Sequence, residues 1–200
     1  TGKSEDFAAH SPTITGQTDG FVQPFSDNPL DDDNVAENAY IQIINTAKRY
    51  VWITTPYLIL DNEMITALKI AAQSGVDVRI ITPHIPDKKY VFSVTRSYYR
   101  SLIEAGVKIY EYTPGFIHAK MFVSDDRVAI IGTINMDYRS FYLHFENGVV
   151  FYGSSVIRKV YEDMHHTLAI SQRIDMEFLR KRKWYSRLMG TALRLAAPLL

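Results

Sequence analysis

The sequence predicts an α/β fold, a mixed β-sheet with helices on both faces. Three observations carry this. Short β-branched runs such as "VWITT" (51–55) and "VDVRIIT" (76–82) alternate with longer amphipathic segments, the pattern of strands joined by helical crossovers. Two later runs, 117–123 and 127–131, are joined by the turn "SDD" and read as an antiparallel hairpin. Finally, 200 residues at 46% hydrophobic content suffice to bury one sizeable core.

Each element follows in order. Residues 1–20, "TGKSEDFAAHSPTITGQTDG", are polar and read as a linker or the end of a preceding domain. "FVQPF" is a short strand that Pro24 confines to a sheet edge or bulge. The acidic run Asp31–Asp33 lacks the spacing of a calcium loop and suits the N-terminus of the helix that begins near Val35. In that helix, "VAENAYIQIINTAKRY", Ala39, Ile43, Ile44 and Ala47 share a face. The strand "VWITT" follows, then the helix "NEMITALKIAAQSG", which Gly75 closes. "VDVRIIT" is a strand, residues 89–105 a helix and "VKIYEY" a strand. After the hairpin come the strand "GVVFY" and the helix "SVIRKVYEDMHHTLAI". The expected organisation is a linker (1–20), a folded α/β domain (21–170) and a basic amphipathic helical tail (171–200).

Composition excludes several chemistries. The chain has no cysteine, so disulfide scaffolds, thiolate zinc sites and cysteine nucleophiles are all ruled out. Adjacent on a helix, His165 and His166 diverge and make a poor metal pair. No metal or cofactor is expected. No apolar run reaches the roughly 18 residues a membrane span needs, and the first ten residues are not a signal peptide. A first residue of Thr rather than Met suggests a processed or excised fragment. The formal net charge is zero, yet the first forty residues are acidic and the last thirty basic. The tail "FLRKRKWYSRLMGTALRLAAPLL" combines that basic cluster with Trp184, Tyr185, Leu188 and Met189. It reads as an element lying on an anionic membrane surface, or else docked on a missing part of the protein.

The chemistry is concentrated at residues 116–137, "FIHAKMFVSDDRVAIIGTINMD". Side chains alternate along a strand, which puts His118 and Lys120 on one face and Ile117, Ala119 and Met121 on the other, buried one. Two potentially cationic groups side by side call for an anion between them. An anionic substrate is therefore expected at this site.

The spacing His118-x-Lys120, four residues, Asp125, six residues, Gly132-Thr133-x-Asn135 resembles the signature of the phospholipase D superfamily. The stretches "YVWITTPYLILDNEMITALKIAAQSGVDVRIITPHIPDKKYV" and "GTINMDYRSFYLHFENGVVF" look like the C-terminal half of bacterial cardiolipin synthases, and that likeness covers roughly residues 35–200. It implies a phospholipase D-like half-domain that transfers a phosphatidyl group through a covalent phosphohistidine, without metal. The implied reaction makes cardiolipin from phosphatidylglycerol and releases glycerol. Hydrolytic phospholipase D, phosphatidylserine synthase, nuclease and a non-catalytic lipid-binding module are the alternatives. The implied partners are phosphatidylglycerol, the anionic surface of a bacterial cell membrane, and either the missing N-terminal half or a second copy of this chain. Nucleic acid is not expected. His118, Lys120 and Asn135 are the implied catalytic residues. Glu146, in "HFENG", stands where the family places an acid against the non-reacting ring nitrogen. Asp125, Gly132 and Thr133 take structural roles, with Thr133 also offering a hydroxyl. Arg96, Tyr98 and Tyr99 fit either a substrate channel or helix packing. His84, just past the strand at 76–82, suits a loop near the site.

Overall fold

The computed structural model describes residues 19–30 and 33–181, together with Ala8 and residues 192–194. Most of residues 1–20 and most of the basic tail, including Trp184 and Tyr185, lie outside the described residues. The strands are β1 (Phe21–Asp27), β2 (Tyr50–Thr54), β3 (Leu58–Ile59), β4 (Asp77–Pro83) and β5 (Lys108–Tyr112), then β6 (Met121–Ser124), β7 (Val128–Gly132), β8 (Met136–Asp137), β9 (Glu146–Tyr152) and β10 (Ser171–Ile174). The helices are α1 (Val35–Thr46), α2 (Asn62–Gln73), α3 (Lys89–Glu104), α4 (Tyr138–Tyr142), α5 (Ser155–Ala169) and α6 (Met176–Lys181). Eight strands form one mixed sheet in the order β1-β9-β7-β6-β2-β4-β5-β10, and β3 and β8 pair separately.

Alternation sorts the side chains into two layers. Val51, Ile53, Val78, Ile80, Ile109 and Phe122 face α1, α2 and α3 in the larger core. Trp52, Ile81, Val123 and Ala129 face α5, which buries Ile157, Val160, Met164 and Leu168 along one stripe. The expected helix-covered mixed sheet is present. Pro24 does sit in an edge strand, since β1 pairs only with β9. One expectation gives way: Ser171–Ile174, read as helical tail, pairs antiparallel with β5, so the folded unit continues past residue 170. The helix α1 begins at Val35, where Asp27 Oδ2 accepts from Ala36 N at 2.8 Å; Asp31 and Asp32 of the acidic run lie outside the described residues.

Two polar clusters fix the ends of the sheet. The Tyr142 hydroxyl lies 2.7 Å from Glu37 Oε2 and 2.8 Å from Asp61 Oδ2, tying α4 to α1 and α2. A hydroxyl has one proton to donate, so both contacts are hydrogen bonds only when one carboxyl is protonated. Burial first, and then Asp61 beside it, push Glu37 up to about 8, which makes Glu37 the protonated partner. At the β6–β7 turn, Asp125 and Asp126 both adopt positive φ, 55° and 58°, and Arg127 N donates to Ser124 O at 3.0 Å. This is the two-residue turn whose twist matches a hairpin.

Asp125 is more than a turn residue. Its carboxylate accepts from Lys48 N, Arg49 N and Tyr50 N at 2.6, 2.9 and 2.9 Å, so it anchors the entry to β2. Partial burial pushes its pKa up, but these three backbone donors outweigh that and hold it below the ordinary carboxylate value. Asp125→Ala is therefore expected to cost about 2–4 kcal/mol of stability, read as a lower urea midpoint. The sign with pH follows from the depressed pKa. The contribution is intact above the unfolded value near 3.9 and fades as pH falls through the lower folded value. A difference between wild type and Asp125→Ala that stayed constant down to acid pH would count against this anchor.

Candidate active site

The site forms where the chain enters and leaves the hairpin. Strand pairing with β2 begins only at Met121, so His118 and Lys120 lie in the extended segment just ahead of β6. The expected burial holds only in part: His118 is exposed and Met121 packs against the second core, but Lys120 turns inward. Lys120 is 9% exposed, while Ile117, Ala119 and Met121 are only half-buried. The lysine turns inward because Phe122, next on the same face, already faces the larger core. A cleft of about 520 Å³ is lined by His118, Lys120, Met121, Gly132, Thr133 and Asn135 among others.

Lys120 Nζ lies 3.1 and 3.0 Å from the two ring nitrogens of His118 and donates to the His118 carbonyl at 3.0 Å. A neutral imidazole has one acceptor nitrogen and one that carries hydrogen, so at most one of the two ring contacts is a hydrogen bond. Among the described residues it has no carboxylate within ion-pair distance; Glu146 and Asp137 act on it from further away. Burial lowers the Lys120 pKa against those two carboxylates. Burial, and then the Lys120 charge, likewise lower His118 below the ordinary imidazole value, with Asp87 opposing. The imidazole is therefore neutral near pH 7, beside a half-desolvated cation that lacks a counter-ion.

Gly132 is required by space. A Cβ there would meet Asn147 O at 2.4 Å and Gly148 Cα at 2.7 Å, backbone atoms that cannot yield without breaking the β7–β9 pairing. Thr133 N donates to Asn147 O at 2.9 Å, and the Thr133 hydroxyl donates to Glu146 Oε2 while accepting from Asn147 N at 3.0 Å. Its proton is thus directed to Glu146. Asn135 Nδ2 donates to Ser140 Oγ at 2.9 Å, and its Oδ1 is buried without a partner. Ser140, fully buried, is held by its own N–H donating to Asp137 Oδ1 at 2.8 Å.

The structure brings His118, Lys120, Gly132, Thr133 and Asn135 together. It does not hydrogen-bond Glu146 to His118. The Glu146 carboxylate meets Thr133, and lies 3.8 Å from Nδ1 of His144, a residue whose place beside the site was not apparent from its sequence position. Arg96, Tyr98 and Tyr99 do not line a channel. Tyr98 and Tyr99 are 2% and 0% exposed, the Tyr99 hydroxyl being 2.6 Å from Thr82 Oγ1. Arg96 binds the buried Glu111 through Nε and Nη2 at 2.7 and 2.5 Å. Of the tail, Leu193 packs against the larger core and the Arg194 guanidinium sits 4.1 Å from the Tyr98 ring. That short piece docks on the protein. Among the described residues, no cluster of acids and histidines could hold a metal, and no helix is long and apolar enough to cross a membrane.

Comparison with known proteins places this geometry. Residues 40–168 match the family described as "Cardiolipin synthase, PLD-like domain". The chain is 43% identical over 191 residues to a cardiolipin synthase of Halalkalibacterium halodurans, covering 95% of the chain and 38% of that protein. Its fold is similar to that of phosphatidylserine synthase from Haemophilus influenzae, with a TM-score of 0.73 and 15% identity, over 90% of this chain and 48% of the other. It is also similar to Nuc, a phospholipase D family member from Salmonella typhimurium, with a TM-score of 0.66 and 17% identity, over 77% of this chain and 97% of that one. Of the curated relatives it matches, the chain spans well under half the length: 39% of one from Streptococcus mutans and 36% of one from Alkalihalophilus pseudofirmus. The chain belongs to the phospholipase D-like domain family of cardiolipin synthases.

Proposed function

We propose that this chain is one catalytic half of a phosphatidyltransferase that makes cardiolipin from phosphatidylglycerol. The observation that carries the reading is the pairing in one open cleft of the His118 imidazole with a buried ammonium 3.0 Å away, Lys120, that has no counter-ion among the described residues. A phosphodiester fits both needs. Its anionic oxygens supply the missing partner of Lys120, and its phosphorus accepts attack by an uncharged nitrogen.

The reaction requires two histidines, of which His118 is one. A ring nitrogen of the first attacks phosphorus as the P–O bond to glycerol breaks. The second, protonated, gives its proton to the departing oxygen. The phosphatidyl-histidine is then attacked by a hydroxyl of a second lipid, whose proton returns to the second histidine as the P–N bond breaks. Lys120 stabilises the charge on the non-bridging oxygens. Asn135, whose Nδ2 is held by Ser140 Oγ, keeps the loop after β7 in place at the edge of the cleft. Glu146 acts indirectly, by fixing Thr133 and sustaining the charge of Lys120, and Asp125 and Gly132 hold the hairpin.

The test joins this chain to a half carrying another His-x-Lys motif and supplies labelled phosphatidylglycerol. Cardiolipin and free glycerol are the expected products. Phosphatidic acid alone would assign water as the acceptor, and DNA cleavage without lipid turnover would replace this reading with a nuclease.

A further inference from the structure

His84 is held in one orientation by a buried pair that the reaction above does not use. Glu111 is 0% exposed, and its carboxylate binds Arg96 twice and His84 Nδ1 at 2.8 Å. The Glu111 carboxylate only accepts, so the His84 Nδ1 that faces it carries hydrogen, and in the tautomer this selects Nε2 is the ring's acceptor. The His84 side chain is 39% exposed.

The sheet register places this nitrogen on the same side as His118. Phe122, Ile53, Ile80 and Ile109 stand in one row across β6, β2, β4 and β5, all facing the larger core. Two residues toward the site, the same face carries Lys120, Thr55, Thr82 and Glu111. Two residues further, it carries His118, Tyr57 and His84. The pairing persists part of the way, as Thr55 N donates to Ile81 O and His84 N to Tyr112 O, each at 3.0 Å. The chain then leaves β2 for β3, which pairs with β8, and the row opens between the two histidines. Where the strands still pair, β6 and β4 lie two strand spacings apart, about 10 Å. Phe116 packs beside Pro83, Pro86 and Asp87, so the segments bearing His118 and His84 flank each other.

We propose that His84 is a positioning residue at the far end of the substrate, accepting at Nε2 a hydrogen bond from an alcohol hydroxyl of the phosphodiester headgroup. This rests on the phosphodiester reading of the His118 cleft. A phosphorus in contact with His118 and a hydroxyl three carbons away, each about 3 Å from its nitrogen, span the separation.

The experiment follows the histidine side-chain nitrogens of this chain by NMR, with signals assigned through His84→Gln and His118→Asn. Glycerophosphoglycerol is expected to shift both His118 and His84, and dimethyl phosphate, which has no hydroxyl, only His118. In His84→Gln, affinity for glycerophosphoglycerol should fall roughly three- to tenfold, the worth of one hydrogen bond, while that for dimethyl phosphate is unchanged. Before ligand is added, His84 should show the Nδ1–H tautomer. If both compounds move His118 and neither moves His84, the positioning role falls and the phosphodiester site stands. If neither compound moves either histidine, both fall.

Discussion

On the proposed reading, His118→Asn in an assembled two-motif enzyme is expected to lower phosphatidyl transfer by about three orders of magnitude or more, with the unfolding midpoint staying near that of wild type. The rate falls because the reaction loses a nitrogen that must bond to phosphorus or move a proton, a role no amide can take. Stability is spared because the ring sits largely outside both cores, against Lys120 and Phe116. The pH profile gives an independent reading. Burial and then the Lys120 charge hold His118 below the ordinary imidazole value, so the acid limb of kcat/KM should lie below about 6.5. Lys120→Met removes the neighbouring charge and so raises the His118 pKa toward that value, while turnover drops with the lost phosphate contact. NMR titration of the His118 ring in wild type and Lys120→Met measures the shift directly. Near-normal transfer by a folded His118→Asn protein removes His118 from the reaction, and an acid limb above the ordinary value removes it as the uncharged attacker.

How much of this was legible in the sequence depends on how local each interaction is. The alternation of "VWITT", "VDVRIIT" and "VKIYEY" with helical segments marks β2, β4 and β5 because both faces of those strands are covered. Strands β3 and β8 have two residues each, too few to show a period. β10, "SQRI", is a polar edge strand whose place is set by β5 rather than by its own pattern. The motif reads clearly because its chemistry is packed into one hairpin, where a spacing of two fixes His118 and Lys120 together. Its partners are less visible. Asp125 caps the 48–50 turn across a sequence separation of some 75 residues. The Tyr99 hydroxyl meets Thr82 and the Arg96 guanidinium meets Glu111, contacts that decide for packing where the sequence left a substrate channel equally open. Glu146 was legible as an acid near the site, but not its hydrogen bond to Thr133, because "HFENG" does not show which way β9 turns its first residue.

The largest change in activity should come from a second polypeptide. By itself, this chain is expected to turn over phosphatidylglycerol at or near background. Adding the segment of a cardiolipin synthase that bears the other His-x-Lys motif should raise the rate by orders of magnitude. The reason is proton bookkeeping. An alkoxide leaving group needs an acid at the instant the P–O bond breaks, and His118 cannot be both uncharged attacker and donor in that step. Among the described residues that line the cleft there is no second histidine. His144 lies beside Glu146, 3.8 Å away, and His84 is bound to Glu111. Phe116, Leu143 and Phe145, which flank the motif in sequence, are 38%, 56% and 70% exposed, an apolar rim of the kind a partner half would cover. Two copies of this chain could supply the pair about a two-fold axis, but a surface matched to a different half should make that assembly weak and poorly active. Sedimentation at several concentrations, with turnover measured on each species, separates these cases. Activity that follows the mixed complex supports complementation, and activity that follows the homodimer assigns the second histidine to another copy. A strictly monomeric chain working at the full rate of the complex would show that one motif is sufficient, and the two-histidine mechanism would have to be abandoned.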